Sequence, residues 1–494
     1  MSKKKSQKNI SEMNMKKTTT SLKTGRKQKN NNSKIIGVML TIVGIFLAMI
    51  VYLGIFVANN EQKMINNSYN KRQEILLAKN YRGSIYSADG YVLAQTALNA
   101  DGKEIRHYPY ENMFSHVVGF STQGRTGIED FCNYYLINSN ISLSQKVENT
   151  TAGRKNPGNN VITNLRMDMQ EAAYNAMGIY EGAIIVTDVS TGKVLTMVSK
   201  PDFDPNEIAD IWDDLVEDGD SSILLNRATT GLYPPGSTFK IITALEYIRE
   251  NDETYDQYSY QCNGSYKVDN NRIHCYHNSV HNRVDLTKSF AKSCNTSFAN
   301  IGMKLDRNEF SQTLDNLLFN QSLNLDFTTA ISKTPISEYM DDYEMLQASI
   351  GQGKVQISPI HLNMITAAIA NDGVLMRPYL VDHIETATGV EYHTYKSKEY
   401  GRLMSSEESA VLRELMTSVV EQGTATRLKG YGYTAAGKTG SAEYNSSGDS
   451  HAWFTGFAPA DNPEIAITVI IESAGAGGDY AVPIARRVLD AYFK

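Results

Sequence analysis

Three short strings bring together residue types that could activate a serine hydroxyl: Ser237-Thr238-Phe239-Lys240, Ser293-Cys294-Asn295 and Lys438-Thr439-Gly440. A serine hydroxyl is a poor nucleophile until a base takes its proton, and a lysine amine can take it when neutral. Tyr233-Pro234-Pro235-Gly236 breaks the chain just before Ser237, and residues 239–248 (FKIITALEYI) then read as a buried helix. Ser237 is thus expected at a helix N-terminus, with Lys240 on the same face one turn away. Burial on that apolar helix, and a nearby Lys438, would both favour the neutral amine. No string is specific alone: Ser-x-x-Lys recurs at Ser2, Ser68, Ser190 and Ser289, and Lys-Thr-Gly at Lys23. Order, spread and flanking residues separate the Ser237 set from these copies.

The elements that must hold these groups are legible in outline. Residues 165–180 read as an amphipathic helix, and 183–189 and 194–199 as two strands around the turn Ser190-Thr191-Gly192-Lys193. The Lys438 segment and the apolar runs 451–459 and 464–472 give three more strands, and 480–493 a closing helix. The expected fold is α+β: a five-stranded antiparallel sheet flanked by helices. A small domain and one membrane helix precede it.

Residues 35–58 contain no charge over 24 positions, enough helix to span the roughly 30 Å core of a bilayer. The run is longer than a signal-peptide core, so a retained anchor is expected. Before it, residues 1–34 carry eleven Lys or Arg against one acid, Glu12. This tail is read as disordered, and as the positive-inside signal that keeps it in the cytoplasm. Taking its +10 from the whole-chain −6 leaves −16 on residues 35–494, which argues against a nucleic-acid partner for the outer part. The division is then tail 1–34, transmembrane helix 35–58, a polar loop-rich domain 59–158, and a catalytic domain 159–494.

The motifs and their flanks resemble those of class B penicillin-binding proteins. Beyond the three strings, the similarity rests on Arg82-Gly83-Ser84-Ile85, Asn226-Arg227-Ala228, Gly351-Gln352-Gly353, Gly423-Thr424-Ala425 and His451-Ala452-Trp453-Phe454. The resemblance implies a D,D-transpeptidase in a bacterial cell membrane that crosslinks peptidoglycan stem peptides ending in D-Ala-D-Ala and is acylated by β-lactams. It implies Ser237 as nucleophile, Lys240 as base and Ser293 as proton relay, with Asn295 on the substrate backbone. Lys438 and Thr439 would hold the terminal carboxylate, Gly440 and Ser441 would line the substrate, and the N–H groups of Ser237 and Ser441 would form the oxyanion hole. It also implies a non-catalytic pedestal over 59–158, no cofactor for catalysis, and a membrane-embedded glycan polymerase as partner. A D,D-carboxypeptidase, and a β-lactam-binding sensor or scaffold, are the alternatives. Glu129-Asp130-Phe131 superficially suits a glycosyltransferase acid, but no suitably spaced histidine follows.

Cys262, Cys275, His281 and Cys294 fall within 33 residues, the last inside the Ser-x-Asn string. Three thiolates and an imidazole can hold zinc tetrahedrally, although spacings of 13, 6 and 13 are looser than a zinc finger's. A Cys262 to Cys275 disulfide is the competing reading, and it leaves Cys294 unpaired. Some class B relatives carry a structural metal at similar positions. The resemblance therefore favours zinc and His281, with His274 and His277 as substitutes. Cys132 is read as a buried thiol.

Overall fold

The computed structural model describes residues 33–57, 60, 71–218, 221–269, 271–444 and 450–494. All but the last two residues of the basic tail lie outside them. Ser33–Val57 is a single helix of 25 residues with mean hydropathy 2.7. At about 1.5 Å per residue it is long enough to cross a bilayer. Among the described residues it is the one helix of that length and composition, and so a single membrane-spanning segment.

From Lys71 onward two large sheets organise the chain. One has six strands in the order Glu391–Thr394, Val381–Glu385, Asn160–Thr163, Ile85–Tyr86, Val92–Leu98, Glu104–His107. Ile85–Tyr86 runs parallel to Asn160–Thr163, and the other neighbours are antiparallel. Three of these strands come from the segment read as a pedestal, one follows it directly, and two return from residues 381–394. Alternation of apolar residues identifies strands, but it carries no information about partners more than 200 residues away.

A buried ion network ties this region together. Glu129, fully buried, accepts from Arg82 Nε at 2.5 Å and Arg106 Nε at 2.6 Å. Burial alone would push its carboxyl up, but the two guanidiniums hold it below its ordinary value. Glu129 is therefore a structural counter-ion. Glu129→Ala would strand two buried guanidiniums, and removing one partner of such a network typically costs about 3–5 kcal/mol. The expected result is a lower midpoint of chemical denaturation, with the Ser237 region intact while the chain stays folded.

The second sheet has five antiparallel strands in the order Ala436–Glu443, Ser450–Ala458, Ile465–Ile471, Gly182–Asp188, Val194–Lys200. Ile465–Ile471 (IAITVII) is apolar and β-branched without alternation and is buried at every position, so both sheet faces are covered. Pro359–Ala370 packs against it with every residue buried. Its polar side chains are paired: Thr366 with Thr455 at 2.7 Å, and Asn363 with Thr187 at 2.8 Å. Met167–Met177 and the closing helix Ala481–Tyr492 pack against each other and the sheet. The five strands and both helices fall where the sequence places them.

Candidate active site

Ser237 does not begin the α-helix. Gly236–Phe239 forms a 3₁₀ turn, and the α-helix Lys240–Glu250 continues from it. In a 3₁₀ turn residues i and i+3 eclipse one another more closely than in an α-helix. Lys240 Nζ accordingly donates to Ser237 Oγ at 3.1 Å. The turn sits hard against the Lys438 strand: a Cβ on Gly236, whose φ is +53°, would lie 2.7 Å from Ser441 O. Gly440 has the same reason on its side, because a Cβ there would meet Pro235 O at 2.9 Å. Gly236 and Gly440 thus let the Ser237 turn and the strand approach backbone to backbone.

Ser293 lies between the helices Leu286–Ala291 and Asn295–Gly302 with φ at +54°, a left-handed conformation that costs a serine on the order of 1 kcal/mol. Two lysines hold it there. Lys240 Nζ donates to Ser293 O at 2.8 Å and Ser293 Oγ at 3.2 Å, while Lys438 Nζ donates to the same Oγ at 2.9 Å. Lys240 also donates to Asn295 Oδ1 at 2.7 Å. Ser237, Lys240, Ser293, Asn295 and Lys438 therefore form one continuous hydrogen-bonded chain.

Both amines are fully buried. Burial pushes Lys240 down to about 8, against the opposing influence of the Cys294 and Cys275 thiols. Lys438 is pushed well below the ordinary lysine range by burial and then by the neighbouring Lys240 charge. Neutral amine is thus accessible beside Ser237 and Ser293 near neutral pH, the condition for proton transfer from a hydroxyl.

A cleft of about 850 Å³ opens over these groups, lined by Ser237, Ser293, Asn295, Thr439 and Ser441. Lys240 and Lys438 lie beneath its floor. Thr424 also lines it and shares a 2.5 Å hydrogen bond with the Thr439 hydroxyl. In the sequence Gly423-Thr424-Ala425 stands only as a flanking motif; the structure makes Thr424 a support for Thr439. Gly351 has a comparable place, its carbonyl accepting from Gly236 N at 2.9 Å. Trp453 Nε1 donates to Pro234 O at 3.1 Å, fastening the breaker ahead of Ser237 to the strand Ser450–Ala458.

Beside Ser293 the cysteines converge. Cys262 ends the strand Tyr260–Cys262, Cys275 follows the strand Asn271–His274, and Cys294 caps the N-terminus of Asn295–Gly302. Their sulfurs and His281 Nδ1 lie close together: Cys262 to Cys275 is 3.8 Å, Cys275 to Cys294 3.7 Å, and Cys262 to His281 Nδ1 3.4 Å. Tetrahedral zinc with bonds of about 2.3 Å to sulfur separates its thiolates by about 3.8 Å, so the donor set fits that ion. All four cysteines of the chain are free and buried, including Cys132. His281 is the histidine in this cluster; His274 and His277 line the cleft beside it but do not join the cluster. Asn282, beside His281, has φ at +57°, a left-handed conformation that asparagine tolerates well.

Residues 182–490 match the family model of the penicillin binding protein transpeptidase domain, and residues 82–161 that of the penicillin binding protein A dimerisation domain. The chain is 31% identical over 457 residues to the peptidoglycan D,D-transpeptidase PbpA of Mycolicibacterium smegmatis, covering 85% of this chain and 91% of that protein. It is 28% identical over 426 residues to the stage V sporulation protein D of Bacillus subtilis, covering 78% and 65%. Among solved structures, an imipenem acyl-enzyme complex of penicillin-binding protein A from M. tuberculosis superposes with a TM-score of 0.77 at 29% identity, covering 84% of this chain and 99% of that one.

Proposed function

The chain belongs to the class B penicillin-binding proteins and is a peptidoglycan D,D-transpeptidase acylated by β-lactams, and from that premise we propose that Ser237 is its nucleophile and Lys240 the base that activates it. The observation that carries this assignment is the Ser237 hydroxyl held 3.1 Å from a fully buried Lys240 amine.

In this reading Ser237 Oγ attacks the carbonyl between the two terminal D-alanines of a stem peptide, and its proton passes to Lys240. The N–H groups of Ser237 and Ser441 hold the developing oxyanion, a contribution typically worth about 3 kcal/mol per donor. The close backbone approach at Gly236 supports that pairing. Ser293, bonded to both lysines, returns the proton to the departing D-alanine amine. Asn295 holds the substrate backbone, Lys438 and Thr439 its terminal carboxylate, and Gly440 leaves room for the strand against the nucleophile turn. An acceptor amine on a second stem peptide then displaces Ser237 from the acyl group and completes the crosslink. The test supplies the full-length chain in detergent with donor and acceptor stem peptides. A crosslinked product with matching D-alanine release is expected; D-alanine release with a hydrolysed donor alone would mark a carboxypeptidase.

We assign structural zinc to Cys262, Cys275, His281 and Cys294, supported by the sulfur separations. The ion would fix the Ser293 and Asn295 backbone from the wall of the cleft, which Cys275 and His281 help to line, and catalysis needs no cofactor. Purified protein should contain one zinc per chain, with thiols that stay unreactive until a chelator exposes them and acylation that weakens as they do. A tryptic peptide pair linked through Cys262 and Cys275 would contradict it.

The domain reading is retained with residues 59–158 as pedestal and 159–494 as catalytic region, supported by the family match over 82–161. The basic residues of 1–34 support a cytoplasmic N-terminus and a catalytic region outside the membrane. Protease added to intact cells should then digest the catalytic region, and full protection would reverse the orientation. A membrane-embedded glycan polymerase, which supplies the strands to be crosslinked, is the partner this reading implies.

A further inference from the structure

Away from the cleft, three carboxylates converge between two helices. Glu246 and Glu250 stand one turn apart near the end of the Lys240–Glu250 helix, and Glu309 lies in the first turn of Arg307–Asn316. One carboxylate oxygen from each lies within 4.8 Å of the others. Glu246 is only 1% exposed, and its Oε2 is buried without a hydrogen-bond partner. An unpaired buried carboxylate oxygen is expensive, because water has been removed and nothing has replaced it. Glu250 is partly buried and Glu309 exposed, so the three groups run from the core to solvent and leave a path for an ion.

The surrounding charge neutralises them only in part: Arg249 attracts Glu246 and the Thr313 hydroxyl hydrogen-bonds it, yet burial still holds the Glu246 carboxyl above its ordinary value. Asp306, whose backbone N–H donates to Glu250 Oε1 at 2.8 Å, adds a fourth acid. Arg249, on the same helix, is turned to Glu408 at 2.6 Å and to the Thr313 hydroxyl at 2.8 Å. Arg307 is paired with Asp342. Burial, followed by repulsion from Glu246, Glu309 and Asp306, pushes Glu250 up to about 7. A cation placed among the three carboxylates would relieve both the repulsion and the orphaned oxygen.

We infer that Glu246, Glu250 and Glu309 form a binding site for a hard divalent cation of the calcium type. The donors are all oxygen, which selects against zinc and copper, and the exposed side leaves room for the waters that complete a calcium shell. The site fastens the far end of the helix that begins at Lys240 to the helix Arg307–Asn316. It is separate from the cysteine cluster in both place and donor chemistry.

The test uses the detergent-solubilised full-length chain, dialysed free of calcium with its zinc content measured before and after. Calcium chloride is titrated by calorimetry, and the melting temperature is followed in parallel. One saturable site is expected, with Kd on the order of 10⁻⁴ to 10⁻³ M and a melting temperature that rises with calcium. Glu309→Gln and Glu250→Gln should each weaken binding at least about tenfold while acylation by penicillin is unchanged. Glu246→Gln alters a core residue, so the two more accessible variants carry the test. Neither heat nor a melting shift up to about 10 mM calcium, or undiminished binding in both variants, would overturn the site.

Discussion

Ser237→Ala is expected to abolish acylation by a fluorescent penicillin, with the rate falling by roughly a million-fold, as when the nucleophile of a serine hydrolase is removed. The loss should be catalytic and not structural. Ser237 is partly exposed, and among the described residues its side chain is bonded to Lys240 Nζ alone. Without it, Lys240 keeps Ser293 O at 2.8 Å and Asn295 Oδ1 at 2.7 Å, so the buried amine is not stranded. The variant should melt within a degree or two of wild type, by the usual size of a change that leaves no cavity and no orphaned polar group. Labelling that persists in a folded Ser237→Ala protein would remove the hydroxyl from the mechanism.

Lys240→Met is the second large effect. Methionine fills much of the lysine's volume without the amine, and loss of a general base typically costs about 10²- to 10⁴-fold. The upper part of that range is expected here, because the same amine holds Ser293 and Asn295. Lys240→Arg separates base from charge, since a guanidinium keeps the positive charge but does not give up its proton. It should be as inactive as the methionine variant. In wild type, neutral Lys240 grows as pH rises through about 8, so the acylation rate should climb across that range and level off above it. A rate that is flat in pH, or an active Lys240→Arg enzyme, would point to charge alone.

Much of this site was legible because its chemistry is local. Ser237 and Lys240 are neighbours along the chain, and the Pro-Pro-Gly breaker announces the turn that carries them. Ser293 and Lys438 could be linked to that turn only through the resemblance, since spacing does not reveal that both amines reach one hydroxyl. The 3₁₀ turn was not foreseen: residues 236–239 suit either helix type, and contact with Ser441 and Gly351 selects the tighter one. The left-handed Ser293 was equally hidden, because hydrogen bonds from two distant lysines, not local preference, impose it. Cysteine spacing suggests a ligand set, but the paired strands Tyr260–Cys262 and Asn282–Val284 bring His281 to it and leave His274 and His277 outside the cluster. The six-stranded sheet was the least legible feature. Its strands at 381–394 look like any short exposed hairpin until Val381 and Ile384 are seen paired with Thr163 and Val161.

The central claim is that one hydroxyl carries the acyl group, and peptide mapping of the penicillin adduct on the full-length chain tests it most directly. Trypsin should release residues 228–240 as one peptide, bounded by Arg227 and Lys240. Fragmentation distinguishes Ser237 from Thr229, Thr230 and Thr238 within it. The account predicts a single adduct, on Ser237. An adduct on Ser293 or Ser441, or on any hydroxyl outside that peptide, would contradict it.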